Sequence, residues 1–414
     1  MTIMGTKTQL IAIPAALALL AVTGASTTRP ARAAHRASEA SALAALAARS
    51  MDRARATSDA SWYARADAAV EKALVLDPGN YDASKVRAWI LTGQHRFAEA
   101  AIAARRAASV RPHDPFNYGT LGDALVEMGD YDGAADAFQT MLDQRPDAAS
   151  YARGSYLREL LGDTEGALQL MRLALRSSSA SPPDQRAWCL SQLGELSFGN
   201  GDLSRASELF AQALALSPSA AGARAGLART LAAKGLYAEA AAHYARAMLA
   251  LPSPAIASEY ANLLRRLGRD VDARRQIDLV EATEMLVQGP DPMMDRQVAL
   301  FRAEQGIHPE LGLAAAEREL LARKDIYGYD AVAWCALAAG RIDRAVEAIG
   351  PALRLGTRDA RLHYHAGMIA MAAGDRDGAR RHLTEALAIN AHFDLRGGDA
   401  ARETLKRLAG PSRG

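Results

Sequence analysis

The sequence predicts an all-α solenoid, an array of repeated helix pairs, and two observations lead to this prediction. The first is composition, because half of the 414 residues are hydrophobic and only 6% are aromatic. Alanine is very frequent and β-branched residues are scarce, so helix propensity is high and strand propensity is low. The second is a self-similar pattern with a period near 34 residues, in which each unit reads as helix, glycine turn, helix.

An alanine recurs once per repeat where the two helices of a pair are expected to cross. Successive members are 33 or 34 residues apart, except for two spacings of 39 and 38. A methyl group permits a close approach of two helices that a larger side chain would block. This alanine ladder comprises Ala66, Ala100, Ala134, Ala167, Ala206, Ala240, Ala273, Ala345 and Ala379, with Leu311 filling the one gap.

A glycine ladder lies five residues ahead of the alanine ladder and in phase with it. Glycine adopts the left-handed backbone conformation that ends a helix, so each member predicts the end of a first helix. Prolines then stop the second helices, because proline cannot supply the next backbone donor. The glycines are Gly129, Gly162, Gly201, Gly235, Gly268, Gly306, Gly340 and Gly374, and the prolines are Pro78, Pro112, Pro146, Pro218 and Pro252.

Two repeats carry the residues by which a family is identified. One contains Leu121-Gly122, Leu125, Ala134, Phe138, Met141 and Pro146, and another contains Leu193-Gly194, Ala206, Phe210, Ala213 and Pro218. This pattern resembles the tetratricopeptide repeat (TPR) family over about residues 38 to 392. The resemblance implies a right-handed α-solenoid of about ten TPR helix-turn-helix units. The first unit and the unit around Leu311 depart from the pattern, and we expect both to be irregular.

The chain is expected to divide into four segments. Residues 1–33 read as a signal peptide and leader, 34–60 as a poorly marked first helix, 61–392 as the TPR array, and 393–414 as a C-terminal capping helix and tail. The cap covers the apolar surface that the last repeat would otherwise expose. Two insertions, Ser177 to Asp184 and Gln288 to Asp291, break the period and are interpreted as lengthened loops between repeats.

The N-terminus has the layout of a secretory signal, with Lys7 followed by the apolar run 10–22 and small residues through Ser26. Cleavage follows Gly24 or Ser26, or the triplet 31–33 farther along, and the sequence does not choose between them. The alternative is an uncleaved anchor, which would be the chain's one contact with a membrane. The sequence therefore predicts an exported protein, periplasmic or secreted, similar to exported bacterial TPR proteins.

The two cysteines, Cys189 and Cys335, lie about four repeats apart. A disulfide needs Cα atoms within about 7 Å, whereas a repeat in a solenoid contacts only its neighbours. We therefore expect both to be small buried apolar residues on first helices.

The resemblance also implies where a partner would bind. In this family the first helix of each pair lines an inner groove, and the groove positions here carry aromatic residues that suit peptide capture. Acidic residues fall on the middle repeats and basic residues on later ones, which would fix the direction of an extended ligand. The alternatives are that single aromatics pack between repeats and that the charges form an ordinary solvated surface. The predicted groove residues are Trp89, Phe116, Asp123, Glu127, Tyr156, Glu159, Trp188, Glu195, Phe198, Arg229, Asn262, Arg265, Arg266, Arg296, Tyr327, Trp334, Arg361 and Tyr364.

The sequence gives little support for other kinds of binding site or for an active site. Chaperone-docking TPR proteins hold a terminal carboxylate with Lys and Asn, but here Ser258 stands where the Lys would precede Asn262. Four histidines gather near the C-terminus: His363, His365, His382 and His392. His363 and His365, two residues apart on a helix, point to different faces and could hold one ion only with ligands from other elements, so no metal site is predicted. P-loop, nucleophile-elbow, zincin and dinucleotide-binding motifs are missing, so neither catalysis nor a cofactor is predicted. The net charge of +2 argues against nucleic acid as a partner.

The sequence is therefore interpreted as a non-enzymatic scaffold outside the cytoplasm that binds a protein or peptide along an aromatic groove. One alternative is an accessory subunit of an envelope transport or secretion system, which would use its outer face and termini. Another is a carrier that binds a metal or a carbohydrate. Substitution of Trp188 and Trp334 separates the groove from the outer face as the site of binding.

Overall fold

The structure, a computed structural model, describes residues 14–57, 61–286 and 295–410. Within these ranges the chain forms 21 helices and no strand. The helices fall into two compact units, Met1–Gly93 and Gln94–Gly414. The prediction of an all-α array of about ten helix pairs followed by a C-terminal helix is confirmed.

The first unit contains α1 (Pro14–Thr57), α2 (Ser61–Leu76) and α3 (Tyr81–Gly93). Helix α1 packs along both α2 and α3. Its alanines at 40, 44 and 47 are buried against apolar residues of the other two helices, including Val70 and Ile90. Lys7 and the start of the apolar run lie outside the described residues. Among those that are described, no helix has both the length and the hydropathy to cross a membrane.

The second unit begins with α4 and continues as eight antiparallel helix pairs and a final helix. The first helices of these pairs are α5 (Pro115–Glu127), α7 (Ala148–Leu160), α9 (Pro183–Gly199), α11 (Ala221–Ala233), α13 (Pro254–Arg266), α15 (Asp295–Gln305), α17 (Ile326–Ala338) and α19 (Ala360–Ala372). The second helices are α6 (Tyr131–Gln144), α8 (Thr164–Ser177), α10 (Leu203–Leu216), α12 (Tyr237–Ala250), α14 (Asp270–Leu286), α16 (Pro309–Leu320), α18 (Ile342–Ala352) and α20 (Arg376–Ile389), with α4 (Phe97–Val110) before them and α21 (Gly397–Ala409) after them.

Every member of the glycine ladder adopts the left-handed conformation, with φ between 69° and 83°. The prediction that these glycines end the first helices is confirmed. At four turns the next residue is an aspartate whose side chain accepts a hydrogen bond from the third residue of the following helix, which caps that helix. His95, at the position one repeat before Gly129, takes the same conformation with φ 57°.

The alanine ladder is buried throughout, with every member at most 1% exposed. The expectation for Leu311 was wrong, because that side chain is 55% exposed. The turn before it is one residue longer than elsewhere: α16 begins three residues after Gly306, whereas α6 begins two residues after Gly129. His308 absorbs the extra residue with φ 44°. Gly312 therefore moves to the crossing, where an added Cβ would lie 3.3 Å from the carbonyl oxygen of Ala299.

The prolines and cysteines lie where the repeat pattern predicts. Helices α2, α4, α6, α10 and α12 each end two residues before a ladder proline. The first insertion spans the loop between α8 and α9 together with the last residue of α8 and the first two of α9, and the second lies outside the described residues. Cys189 and Cys335 are free and fully buried on the first helices α9 and α17. Burial raises the pKa of both thiols, so they remain protonated.

Residues eleven helices apart in the chain meet within the second unit. The backbone N–H of Ile326, at the start of α17, donates to the Tyr131 hydroxyl at 2.9 Å. Thr357 donates through its hydroxyl to the carbonyl oxygen of Leu160, and the side-chain amide of Asn390 donates to the carbonyl oxygen of Phe198 at 2.7 Å. We call these three contacts the seam. Through them the second unit closes on itself and encloses a polar interior, a feature that the repeat pattern did not predict.

Candidate functional site

The predicted groove residues all lie on first helices, as the groove assignment requires. Trp89 belongs to α3 of the first unit, where it packs against the buried core. The other 17 belong to first helices of the second unit, from α5 to α19. Four of them, on α13, α17 and α19, meet in one place: Asn262, Trp334, Arg361 and Tyr364.

These four residues line a cavity of about 300 Å³ in the second unit, which we call the central cavity. Helix α15 contributes one side of it, and the segment from Phe393 to the start of α21 contributes another. Residues from four first helices and from the C-terminal segment therefore converge on the same space. The remaining lining residues are Ala303, Glu304, His365, Phe393, Asp394, Arg396, Gly397 and Ala400.

Aromatic rings form one wall of the central cavity. The Trp334 ring stacks on His365 with centroids 4.0 Å apart and an interplanar angle of 13°. Tyr364 lies 5.6 Å from the Trp334 ring and 5.3 Å from Phe393. The carboxylate of Asp330 holds the buried His365 in place, at 2.9 Å from its Nδ1. The wall is therefore fixed before a ligand binds, and a planar or apolar group would bury much surface against it.

Charged groups of both signs face the aromatic wall. Glu304 accepts a hydrogen bond from the Ser258 hydroxyl, and its other oxygen lies 3.6 Å from the guanidinium of Arg361. Burial raises the pKa of Glu304, against the opposing effect of Arg361. Arg396 donates to the backbone carbonyl of Glu304 at 3.0 Å. A ligand in the central cavity would therefore meet a cation and an acid beside an apolar surface.

A second group of predicted residues lies elsewhere in the polar interior, on α5 and α7. Burial raises the pKa of Glu127 to about 7, although Arg323 forms an ion pair with it at 2.5 Å. Burial also raises the pKa of Glu159 to about 7, and the carboxylates of Asp359 and Glu195 add to the rise. At neutral pH each carboxyl is therefore protonated in a large fraction of molecules and can donate a hydrogen bond.

Most of the charged groove residues have partners within the chain. Arg229 forms ion pairs with Glu195 and Glu259, and Arg265 donates to the side chain of Gln305. The acidic middle repeats and basic later repeats thus partly neutralise one another. The other ion pairs are Asp123 with Arg153, Arg266 with Asp399, and Arg296 with Asp325.

The remaining aromatic groove residues do not line the central cavity. Trp188 is 49% exposed and Tyr156 is 39% exposed. Phe198 is buried beneath the guanidinium of Arg229, which lies 4.6 Å from its ring centroid. Tyr327 donates a long hydrogen bond of 3.4 Å to Asp359, and Phe116 is half-buried on α5.

Two family models match this chain, and both are described as the tetratricopeptide repeat. One matches residues 120–182 and 333–392, and the other matches residues 197–267. The matched segments coincide with helix pairs of the second unit. The chain is a tetratricopeptide repeat protein. No curated protein matches its sequence.

Several solved structures resemble this TPR protein at low sequence identity. A TPR protein of Thermus thermophilus is 20% identical, with 45% of this chain and 99% of that chain covered and a TM-score of 0.39. A TPR protein of Parabacteroides merdae is 18% identical, with 64% and 99% covered and a TM-score of 0.35. A human IFIT1 dimer with PPP-AAAA is 18% identical, with 71% and 68% covered and a TM-score of 0.46.

Several residues of the TPR protein's central cavity were not predicted from the sequence. Glu304 lies on α15, the first helix of the irregular repeat, where the groove register is hard to assign. Phe393, Asp394 and Arg396 follow the last repeat, in a segment interpreted as the approach to a cap. The available signal was an aromatic residue next to charged residues in that segment, a combination typical of ligand pockets.

Ser258 and Asn262, the positions considered for a carboxylate clamp, are engaged with α15. The Ser258 hydroxyl donates to Glu304, and the side-chain amide of Gln305 donates to Ser258 at 2.8 Å. Asn262 accepts from Arg265 and Gln305, each at 3.3 Å. These polar contacts join α13 to α15 and set the floor of the central cavity.

Proposed function

We propose that this TPR protein is a non-enzymatic scaffold outside the cytoplasm that binds an extended protein or peptide through the polar interior of its second unit. The partner is anchored by one side chain in the central cavity. The observation that carries the proposal is the convergence of Trp334, Arg361, Tyr364 and Asn262 on that cavity. TPR repeats generally form protein-binding scaffolds, which agrees with a role in binding.

The chemistry of the central cavity favours a planar or apolar anchor bearing polar atoms. The wall of Trp334 and Tyr364 offers aromatic surface, and burial of such surface supplies most of the affinity at interface hot spots. Arg361 and Glu304 provide one donor group and one acceptor group beside that wall. Since the other groove charges are largely paired, we expect specificity to come from this cavity rather than from the acidic and basic stretches.

A binding experiment with peptides selected from a random library against the full chain tests the proposal. Trp334→Ala should weaken binding of the selected peptides by about tenfold or more, as expected for a buried aromatic hot spot. Trp334→Phe keeps an aromatic wall and should retain most of the affinity. Weaker peptide binding by Trp188→Ala would mean that the peptide extends beyond the central cavity, because Trp188 lies on α9 outside that cavity. Wild-type affinity of the Trp334→Ala variant, with its helical content intact, would overturn the proposal.

The N-terminal sequence supports export as part of the proposal. A basic residue, an apolar run and small residues follow one another as in a secretory signal. Sequencing the N-terminus of the protein purified from its own cells tests this, because export with cleavage predicts a mature chain that begins after Gly24, Ser26 or Ala33. An intact Met1 in a cytoplasmic fraction would contradict it.

A second candidate function is supported by the outer surface of the repeats. Several large apolar side chains on second helices or directly after them are solvent-exposed, including Leu249 at 87%, Leu321 at 78% and Val271 at 69%. Such residues suit an accessory subunit that docks through its outer face. Leu249→Asp should leave peptide binding in the central cavity unchanged, whereas it should disrupt an assembly that uses α12.

A further inference from the structure

Two histidines on neighbouring helices face each other at the end of the array. The Nδ1 of His363, on α19, lies 3.1 Å from the Nδ1 of His382, on α20. The ring centroids are 5.4 Å apart, and both side chains are half-buried and open to solvent on one side. His365, which the sequence places nearest to His363, instead packs under Trp334 and pairs with Asp330.

Two imidazole nitrogens at this distance share either one proton or one metal ion. A transition metal bonds histidine nitrogen at about 2.0–2.1 Å. With the Nδ1 atoms 3.1 Å apart, the N–metal–N angle at such an ion would be about 95–100°, between the octahedral and tetrahedral values. The observed spacing therefore lets one ion reach both nitrogens without movement of either helix, once each imidazole turns its Nδ1 away from the other ring and toward the ion.

We propose that His363 and His382 bind one divalent transition metal ion such as Zn²⁺ or Ni²⁺, with the carboxylate of Glu385 as a third ligand and water completing the shell. Glu385 follows His382 by three residues on α20, so the two side chains lie on the same helix face. Its side chain is exposed and free to change rotamer. Its charge already acts on His363, opposing the effect of burial on the pKa of that imidazole.

The surroundings of the pair allow a cation but do not supply a complete set of ligands. Across the described ranges, no three His, Cys, Asp or Glu side chains already converge on one point, so Glu385 must turn toward the pair. Asp359 is also near His363, but it caps α19 by accepting from the backbone of Arg361 and Leu362. The basic residues Arg358 and Arg381 lie nearby and lower the affinity for a cation. We therefore expect a dissociation constant in the micromolar range, which is weaker binding than that of a structural zinc site.

This inference does not rest on the proposed binding of peptides. His363, His382 and Glu385 are not among the residues that line the central cavity. Peptide affinity and metal affinity can therefore be measured separately, and failure of one leaves the other standing.

Isothermal titration of the full, untagged chain with Zn²⁺ and with Ni²⁺, after treatment with a chelator, tests the proposal. We expect one ion per chain and a rise in Tm on addition of the metal. His382→Ala and His363→Ala should each lower the affinity by more than about tenfold, because even groups that only support metal ligands contribute that much. Glu385→Gln should cause a smaller loss.

His392→Ala is the matched control, because His392 is an exposed histidine near the same end of the chain. It should leave the affinity and the stoichiometry unchanged. The proposal is overturned if the wild-type chain gives neither heat nor a Tm shift with both ions. It is also overturned if His382→Ala binds as tightly as the wild type, since the two histidines would then merely share a proton.

Discussion

At the scale of single residues, the polar interior holds carboxyl groups whose negative charge is only partly balanced by neighbouring cations. Glu159 has no ion-pair partner in the described chain, and it lies near two other carboxylates, those of Asp359 and Glu195. Glu127 has a cationic neighbour in Arg323, yet burial still raises its pKa to about 7. The interior therefore gains negative charge as the pH passes through neutrality, at a cost to the folded state.

Replacing Glu159 should make the stability of the protein less dependent on pH. An ordinary glutamate has a pKa near 4.5, whereas the folded value here is about 7. Between these values the folded chain holds a proton that the unfolded chain has released, so the free energy of unfolding falls as the pH rises through this window. Glu159→Gln mimics the protonated form, and its Tm should exceed that of the wild type by much more at pH 8 than at pH 5.

The exposed carboxylate of Glu165, on α8, provides the matched control for this measurement. Glu165→Gln should change Tm by a similar small amount at both pH values. If Glu159→Gln shifted Tm equally at pH 5 and pH 8, the side chain would not titrate in the window that its burial requires.

At the scale of elements, the features that recur within one repeat were predictable from the sequence. A ladder glycine ends a helix through its own backbone conformation, and a ladder alanine is buried where its helix crosses the helix directly before it in the chain. Both effects are local, so a single sequence reveals them. Leu311 was misassigned because one extra residue in the turn after Gly306 shifts the register of the helix that follows. The sequence gives no sign of this shift, because histidine at position 308 does not by itself predict the left-handed conformation that it adopts.

Two ladder glycines with the same backbone conformation differ in their surroundings, which allows the seam to be tested at one turn. Gly162 has φ 77°, and a Cβ there would lie 2.7 Å from the carbonyl oxygen of Gly356. Gly268 has φ 71°, and a Cβ there would meet nothing within 4 Å. Alanine at either site costs about 1–2 kcal/mol for the left-handed backbone, but only at Gly162 would it also displace the segment that carries Thr357.

Gly162→Ala should therefore destabilise the protein more than Gly268→Ala, by about 1 kcal/mol or more for the displaced contact. Urea denaturation followed by circular dichroism measures both losses. Equal losses for the two variants would mean that the segment around Gly356 does not pack on this turn.

At the scale of the whole molecule, the closure of the second unit on itself was beyond the reach of the sequence pattern. It depends on the rotation accumulated over many repeats, and small differences in each helix crossing add up. No local motif links Tyr131 to Ile326 or Phe198 to Asn390. That the predicted groove residues lie on first helices followed from the family pattern, but the central cavity, which draws on α15 and the segment after α20, could not be predicted from it.

The seam also encloses the interior of the second unit, which would otherwise be an open face of the array. Tyr131, Thr357 and Asn390 fix the spacing between turns of the array, and that spacing places the C-terminal segment against α17 and α19. Arg266 on α13 and Asp399 on α21 add an ion pair of 2.6 Å across the same opening. A partner would enter either along the axis of the interior or after the seam loosens.

A distance measurement between two spin labels tests this closure most directly. Leu161 and Arg358 are exposed and follow directly after Leu160 and Thr357, whose hydrogen bond belongs to the seam. Labels attached at Leu161→Cys and Arg358→Cys should react selectively, because Cys189 and Cys335 are fully buried. A closed second unit predicts one narrow distribution at the short end of the measurable range. A broad distribution centred at long distance would contradict the closure, and with it the central cavity.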